Sequence, residues 1–205
     1  EYEGAELDEA RQRFFREAET AGRLQHPNIV TIFDAGEEHD LAYIAMEFLQ
    51  GHDLQAHARP GTLLPVAQVL GIGAQVALAL DHAHRQSVVH RDIKPANVML
   101  DPATGQVKVT DFGIARITDS SRTKTGVVLG TPSFMAPEQL AGHRVDGRAD
   151  LYALGAMLFQ LLTGELPLKG DSLSALMYQI ANTVPPDVRT LRPALPAELA
   201  ALLQA

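Results

Sequence analysis

The sequence predicts an α+β fold in which a small part that contains strands comes first and a larger, mostly helical part follows. Two early segments, residues 29–33 and 41–48, alternate apolar and polar side chains, as the strands of a β-hairpin do. Two later segments, residues 66–85 and 148–163, are long and rich in apolar side chains, as core helices are. These four segments carry the prediction of fold class.

The first element is a predicted helix over residues 8–24, and the hairpin follows it. His26-Pro27-Asn28 ends the helix, because the residue before a proline is disfavoured in helical conformation. The polar turn 36–40 separates the two strands of the hairpin. The helix prediction depends on apolar or small residues spaced three and four apart, namely Ala10, Phe14, Ala18, Ala21 and Leu24.

The larger part begins after Gly51. Residues 66–85 predict a long, alanine-rich helix that is mostly buried, and Val88-Val89 predicts a short strand behind it. Residues 98–100 and 107–109 are short apolar segments with a turn between them, which predicts a second small hairpin.

The last third of the chain is predicted to contain a long loop and three helices. Residues 114–137 show little periodicity and many Ser, Thr and Gly residues, which predicts a functional loop. A helix over 148–163 ends at Gly164, and weaker patterns predict helices over 173–182 and 197–204.

The bulk composition excludes several kinds of protein. The chain has 205 residues, 46% of them hydrophobic, a net charge of −8 and no cysteine. The acidic balance argues against broad nucleic-acid binding, and the lack of cysteine excludes disulfides and thiolate chemistry. The longest apolar stretches, such as Leu151–Phe159, fall short of the roughly 18 residues that a membrane span needs. The chain begins at Glu1, and its first residues do not resemble a signal peptide. We therefore expect a cytoplasmic piece of a longer protein. A membrane anchor elsewhere in that protein is compatible with this expectation.

One pair of motifs carries the chemistry. Residues 90–97 read HRDIKPAN, and residues 111–113 read DFG. Asp92 is the candidate catalytic base, since a carboxylate on a rigid loop can accept a hydroxyl proton and aim the oxygen at phosphorus. Lys94 can place positive charge on a transferring phosphoryl group. Asn97 and Asp111 supply the hard oxygen ligands that Mg²⁺ prefers.

With these motifs the chain resembles the catalytic domain of a eukaryotic-like (Hanks-type) bacterial protein Ser/Thr kinase, and the resemblance extends along essentially all 205 residues. The HRD sequence at 90–92 with Asn97 is similar to the catalytic loop of that family. DFG at 111–113 and APE at 136–138 are similar to the two ends of its activation segment. Lys94 is the form typical of Ser/Thr kinases. Thr131, in GTPSF, is implied to hydrogen-bond Asp92 and Lys94.

The resemblance also implies roles at the nucleotide. Glu17 is similar to the glutamate that pairs with the nucleotide-binding lysine. Met46 resembles the gatekeeper, and Glu47 and Leu49 resemble hinge residues whose backbone binds adenine. Met99 would pack under the adenine ring, although a core methionine explains it equally well.

A packed stack and a phosphoswitch are further implications of the resemblance. The stack is implied to rest on Asp150 in the helix predicted over 148–163, which makes its histidine a structural residue. The members of the stack are Ala21, Ile32, His90 and Phe112. Arg91, next to Asp92, indicates control by phosphorylation, with Thr123 and Thr125 as the candidate acceptors.

Two other patterns are not read as sites. Gly71 and Gly73 lie inside a helical pattern and lack the third glycine of a phosphate-binding loop. His82 and His84 are two apart on the same predicted helix, so they point away from each other and do not form a metal site with His90.

Two features of the family pattern are missing from these residues. No glycine-rich loop precedes Glu17, and the first lysine of the chain is Lys94. We therefore expect a kinase domain truncated at both ends, with residues 1–49 forming part of the small lobe and residues 50–205 the large lobe. The 205-residue fragment by itself is expected to bind ATP weakly and to be catalytically incompetent.

The resulting expectation is a protein serine/threonine kinase that uses ATP with Mg²⁺ or Mn²⁺ and acts on Ser or Thr hydroxyls of proteins. We expect it to bind no nucleic acid and to make no membrane contact through this segment. A kinase homodimer is compatible with this expectation. One alternative is a pseudokinase that serves as a binding or scaffold module. Another is a small-molecule kinase of the aminoglycoside type, which Lys94, Thr131 and the APE motif disfavour.

Overall fold

The computed structural model describes residues 12, 15, 16, 18–39, 41–112 and 132–204. Their α+β fold contains a two-stranded sheet, a three-stranded sheet and a helical body. Helix α1 covers the helical residues between 12 and 22. The remaining elements are β1 (Ile32–Glu38), β2 (Leu41–Met46), β3 (His52–Asp53), α2 (Val66–Arg85), β4 (Val98–Leu100), β5 (Val107–Val109), α3 (Pro137–Leu140), α4 (Gly147–Thr163), α5 (Leu173–Asn182) and α6 (Ala197–Gln204).

The first hairpin is present, but its bounds differ from the prediction. Strands β1 and β2 pair in antiparallel fashion from Ile32↔Met46 to Glu38↔Leu41, so the predicted turn residues 36–38 belong to β1. Ile29 instead forms an isolated parallel bridge with Val109 of β5. The alternating residues 29–33 therefore take part in two different pairings. Ile29 pairs with β5 of the three-stranded sheet, and Ile32 pairs with β2 of the two-stranded sheet.

The second hairpin confirms its prediction and gains a third strand. Strands β4 and β5 pair from Val98↔Val109 to Leu100↔Val107 around the predicted turn. The two-residue strand β3 joins the other edge of β4 through His52↔Leu100 and Asp53↔Met99. Sequence periodicity could not find β3, because two residues are too short to show alternation.

The core lies where helix α2 packs against α4 and against strand β5 of the three-stranded sheet. The helices approach closely at Gly73, where an added Cβ would come within 3.0 Å of a Leu158 methyl group. Seven residues of α2 are buried there: Val69, Ile72, Gly73, Val76, Ala79, Leu80 and Ala83. This close packing explains Gly73, whereas an added Cβ at Gly71 would meet no atom within 4 Å.

Local capping explains where helices α4 and α5 begin. The Asp146 carboxylate accepts the Arg148 N–H at the start of α4, and Gly164 ends that helix with a φ of 79°. The Ser172 hydroxyl caps α5 in the same way as Asp146 caps α4. The observed bounds confirm the predicted helices 66–85, 173–182 and 197–204, and the helix predicted over 148–163 begins one residue earlier.

The strand predicted at Val88-Val89 is wrong. The chain leaves α2 in a tight turn, with Ser87 at a φ of 62°, and the Val88 N–H donates back to Ala83 O at 2.9 Å. That hydrogen bond occupies the donor that a strand would use for pairing. Of the loop predicted over 114–137, residues 114–131 lie outside the described part, and Pro132–Phe134 forms a 3₁₀ turn before α3.

Within the described residues, α2 is long and apolar enough to span a membrane, with a mean hydropathy of 1.3. The expectation that no segment reaches that length and composition is therefore wrong for α2. The same composition suits a helix that packs one face into a protein core, as α2 does against α4.

Candidate active site

A buried carboxylate holds the backbone of the HRD motif. Asp150, in the first turn of α4, is 0% exposed. Its side chain accepts hydrogen bonds from the His90 N–H at 2.8 Å and the Arg91 N–H at 2.7 Å. His84 Nε2 donates to the same carboxylate at 2.7 Å. A buried charge needs such partners, and here the partners are the loop that carries the candidate base.

Two residues of the site, one in the HRD motif and one in the DFG motif, have left-handed backbone conformations. Arg91 has a φ of 70° and Asp111 a φ of 61°, a region in which residues other than glycine are uncommon. Strain of this kind costs about 1–3 kcal/mol per residue and persists where the surroundings impose it. Two hydrogen bonds impose this conformation on Arg91. Its N–H donates to Asp150, and its carbonyl oxygen accepts from Gln139 Nε2 at 2.9 Å.

The three polar residues of the catalytic motif form one hydrogen-bonded group. Lys94 Nζ lies 2.7 Å from Asp92 Oδ2, and Asn97 Nδ2 donates to the same oxygen at 2.9 Å. Asn97 Nδ2 also donates to the backbone oxygen of Asp92 at 2.8 Å. Asp92 and Lys94 are each about 30% exposed, so the carboxylate is fixed by protein contacts and still reaches solvent. This arrangement can orient a hydroxyl group and accept its proton.

Asp111 is tied to the same group through its neighbour. The N–H and hydroxyl of Thr110 both donate to the Asn97 carbonyl oxygen, at 2.9 and 3.2 Å. Since the Asn97 amide nitrogen faces Asp92, its amide oxygen is directed away from that residue. Asn97 and Asp111 thus offer one amide oxygen and one carboxylate, a donor set that fits Mg²⁺ with phosphate and water at the other positions. No cluster of three His, Cys, Asp or Glu residues occurs in the described part of the chain.

His90 is structural, and its hydrogen bonds define its neutral form. Its ring is fully buried, contacts the Phe112 ring edge-on with centroids 4.6 Å apart, and lies 2.8 Å from the Thr110 carbonyl through Nε2. A carbonyl only accepts, so Nε2 carries the hydrogen, and Nδ1 accepts the Asp92 N–H at 3.2 Å. Burial lowers the pKa of His90 and outweighs the opposing effect of Asp150.

The candidate hinge residues line a small cleft. Glu47, Leu49 and Met99 come together around a cavity of about 150 Å³, which Met46 does not line. The Glu47 carboxylate binds Lys108 Nζ at 2.5 Å and the Thr31 N–H at 2.6 Å. Burial raises the pKa of Glu47, but these two hydrogen bonds lower it more, so the pKa lies below its ordinary value. Glu47 therefore has a structural side-chain role that the sequence did not reveal.

Comparison with known proteins decides the family. The sequence model described as "Protein kinase domain" matches residues 2–197. The chain belongs to the protein kinase domain family. It is similar to the serine/threonine-protein kinase PrkC of Bacillus subtilis, with 41% identity over 90% of this chain and 28% of that protein. It is also similar to the serine/threonine-protein kinase PknJ of Mycobacterium tuberculosis, with 45% identity over 94% of this chain and 34% of that protein.

Solved structures agree with the family. The PknI kinase domain of Mycobacterium tuberculosis, as a C20A_R136A double mutant, matches with a TM-score of 0.75 and 38% identity over 96% of this chain and 70% of that chain. Rad53 1-466 in complex with AMP-PNP matches with a TM-score of 0.75 and 27% identity over 93% of this chain and 49% of that chain. The chain spans about a third of the length of these two relatives, PrkC and PknJ.

The structure brings some predicted site residues together and does not describe others. Asp92, Lys94 and Asn97 are in direct contact, and Asp111 adjoins them through Thr110. Four predicted residues lie outside the described part: Glu17, Thr131, Thr123 and Thr125. Phe112 and Ala21 are buried in the same core as the partly buried Ile32, in keeping with the implied stack.

Two functional contacts were missed from the sequence. His84 was read as one of two helix histidines, and its bond to Asp150 depends on the crossing of α2 and α4. Gln139 accepts the Ala136 N–H at 3.0 Å and donates to the Arg91 carbonyl, which links the APE motif to the catalytic loop. The His84–Asp150 and Gln139–Arg91 bonds join residues more than 45 positions apart, so no local sequence pattern predicts them.

Proposed function

We propose that the protein carrying this kinase domain transfers the γ-phosphoryl group of ATP to serine or threonine hydroxyls of other proteins. The observation that carries the proposal is the Asp92–Lys94–Asn97 group, in which two side chains fix one partly exposed carboxylate at 2.7 and 2.9 Å. The named serine/threonine kinases among its relatives support the acceptor class. The AMP-PNP bound to Rad53 supports a nucleoside triphosphate as donor.

Each residue has a defined task in this proposal. Asp92 accepts the proton of the attacking hydroxyl and aims its oxygen, while Lys94 carries positive charge toward the transferring group. Asn97 and Asp111 would hold Mg²⁺, which when bound neutralises charge on the triphosphate. Glu47, Leu49 and Met99 would form the adenine-facing wall of the cleft. The hydrogen bonds that Asp150 accepts from the N–H groups of His90 and Arg91 hold the backbone of the HRD motif in place during the reaction.

Regulation by phosphorylation belongs to the same proposal. Thr123 and Thr125 would accept phosphate, and Arg91 would pair with it, because a phosphate adds charge that arginine binds well. The support is the sequence alone, in which Arg91 adjoins the base and both threonines precede the APE motif.

The decisive experiment is phosphoryl transfer from radiolabelled Mg-ATP to a generic acceptor protein, followed by phosphoamino-acid analysis. The protein is expressed with any segment that its gene encodes before residue 1. We expect label on serine and threonine, and Asp92→Asn should reduce the rate about 10²- to 10⁴-fold, the usual contribution of a general base. Asp111→Asn should also remove activity through lost Mg²⁺ binding.

Asp187→Asn is the matched control, since Asp187 caps a 3₁₀ turn far along the chain and asparagine caps equally well. It should transfer phosphate at the wild-type rate. Nucleotide binding without any transfer would favour the pseudokinase alternative, and label on an aminoglycoside alone would favour a small-molecule kinase. The 205-residue chain alone is expected to transfer phosphate poorly. Its first lysine is Lys94, so it has no lysine in the position of the nucleotide-binding lysine of the family.

A further inference from the structure

One glutamine side chain joins two segments of the active site that lie far apart in the sequence. Gln139, in the short helix α3, accepts the Ala136 N–H through Oε1 at 3.0 Å. Its Nε2 donates to the Arg91 carbonyl oxygen at 2.9 Å. A backbone N–H only donates and a carbonyl only accepts, so these partners fix which end of the amide faces each segment. The side chain therefore connects the APE motif to the catalytic loop in one defined orientation.

The bond to Arg91 acts on the peptide unit that precedes the catalytic base. The Arg91 carbonyl and the Asp92 N–H belong to the same planar peptide unit, so a bond at one end restrains both. The Asp92 N–H makes a long bond to His90 Nδ1, at 3.2 Å. The shorter bond, at 2.9 Å, is the one that Gln139 supplies. The orientation of this peptide unit sets the direction in which the Asp92 side chain leaves the backbone.

A restraint is needed at this place because the backbone is not in a preferred conformation. Arg91 has a φ of 70°, which residues other than glycine seldom adopt. Asp150 holds the Arg91 N–H at 2.7 Å, on the preceding peptide unit. Loss of the Gln139 bond weakens the hold on the carbonyl side, so the peptide unit can relax about ψ and turn Asp92 with it.

We propose that Gln139 is a positioning residue for the catalytic base, a role that rests on the phosphoryl transfer proposed above. It acts through the Arg91–Asp92 peptide unit and couples the position of the APE motif to the aim of the Asp92 carboxylate. The other end of this coupling is also held, since the turn Pro132–Phe134 that leads into the motif packs against α4. A shift of α3 relative to the catalytic loop would therefore change the orientation of the base.

The substitution Gln139→Glu separates the two bonds of the side chain. The carboxylate has the size of the amide and still accepts the Ala136 N–H, so the start of α3 keeps its bond. It has no hydrogen to donate to Arg91 and places negative charge against that carbonyl oxygen. Gln179→Glu is the matched control, because Gln179 Oε1 on α5 accepts the Thr183 hydroxyl at 2.7 Å. The control adds the same charge and also preserves an acceptor.

The test is a double-mutant cycle for phosphoryl transfer from radiolabelled Mg-ATP, with the protein and acceptor of the experiment described above. We expect Gln139→Glu to lower kcat about 10- to 100-fold, because a small displacement of a catalytic group can cost about 10²-fold. KM for ATP should stay within about twofold, since the lost interaction serves the transition state. In the Asp92→Asn background the same change should lower the residual rate less than about threefold, since the base is already lost. Gln179→Glu should keep the wild-type kcat.

Each remaining outcome would contradict the positioning role, the proposed function or both. Asp92→Asn at the wild-type rate, or no transfer by the wild type, would overturn the proposed function and the positioning role with it. Reduced activity in Asp92→Asn with a wild-type kcat in Gln139→Glu would overturn the positioning role alone. An equal loss in both backgrounds, or a Gln139→Glu protein that fails to fold, would assign Gln139 to the fold. An equal loss in Gln179→Glu would assign the effect to the added charge.

Discussion

The catalytic loop and the β1–β2 hairpin are built on opposite principles. In the loop, His90, Ile93 and Asn97 are buried, and Asp150 of a distant helix fixes the backbone. In the hairpin, no residue of either strand is buried, and Phe33 is 69% exposed. The chemistry is thus placed on the part of the domain whose geometry is determined by buried long-range contacts, while the hairpin depends mainly on its own backbone pairing.

The difference has a consequence for stability. Removing a contact from the loop leaves buried polar groups without partners, which is expensive. Removing a side chain from the hairpin exposes little that was not already in water. Substitutions of the same chemical kind should therefore have very different effects in the two regions.

The largest effect is expected for Asp150→Ala. The change leaves the N–H groups of His90 and Arg91 and the ring of His84 without their shared acceptor, at a cost of about 3–5 kcal/mol in unfolding free energy. Asp146→Ala, four residues earlier on the same helix, removes an exposed cap and should cost about 1 kcal/mol. Urea unfolding of both variants measures the difference, and equal losses would show that the loop network contributes nothing beyond ordinary capping.

The next effect is a pH dependence that comes from His90. Burial, the largest cause, holds its pKa below the ordinary 6.5, so the unfolded chain takes up a proton that the folded domain does not. Stability should therefore be complete above pH 6.5 and fall as the pH drops below it, by up to about 1.4 kcal/mol per pH unit for one proton.

Urea unfolding between pH 7.5 and 5.5 tests this, with His90→Gln expected to flatten the curve in that range. The hairpin provides the control in His39, which is exposed at its turn and has a φ of 50°. His39→Asn suits that backbone conformation and should keep the wild-type slope. A His90→Gln variant with an unchanged slope would assign the effect to another histidine.

The same contrast explains what the sequence could predict. The motif at 90–97 and the helices α2, α5 and α6 are local patterns, and the structure confirms the predicted bounds of these helices, although the patterns of α5 and α6 are weaker than that of α2. The identity of Asp92, Lys94 and Asn97 as a contacting group also follows from close spacing in the chain.

What the sequence could not predict depends on pairings between distant residues. The bond of His84 to Asp150 requires that α2 crosses α4, and the pairing of β3 requires that residue 52 meets residue 100. Val88-Val89 has the composition of a strand, but the Val88 N–H donates to Ala83 at the end of α2 instead. The apolar residues of the hairpin predicted its strands correctly, and the sequence pattern did not reveal that Phe33 and Leu41 are exposed.

The smallest effect is expected for Phe33→Ala in β1. Its ring is 69% exposed, so the change should alter the unfolding free energy by no more than about 0.5 kcal/mol. Phe112→Ala is the matched substitution beside the catalytic loop, where the ring is 2% exposed and packs on His90. It should cost about 3–5 kcal/mol, because a buried cavity replaces the ring. Thermal and urea unfolding of both variants measures the ratio, and a Phe33 loss approaching that of Phe112 would mean that the hairpin is buried in solution against another part of the protein.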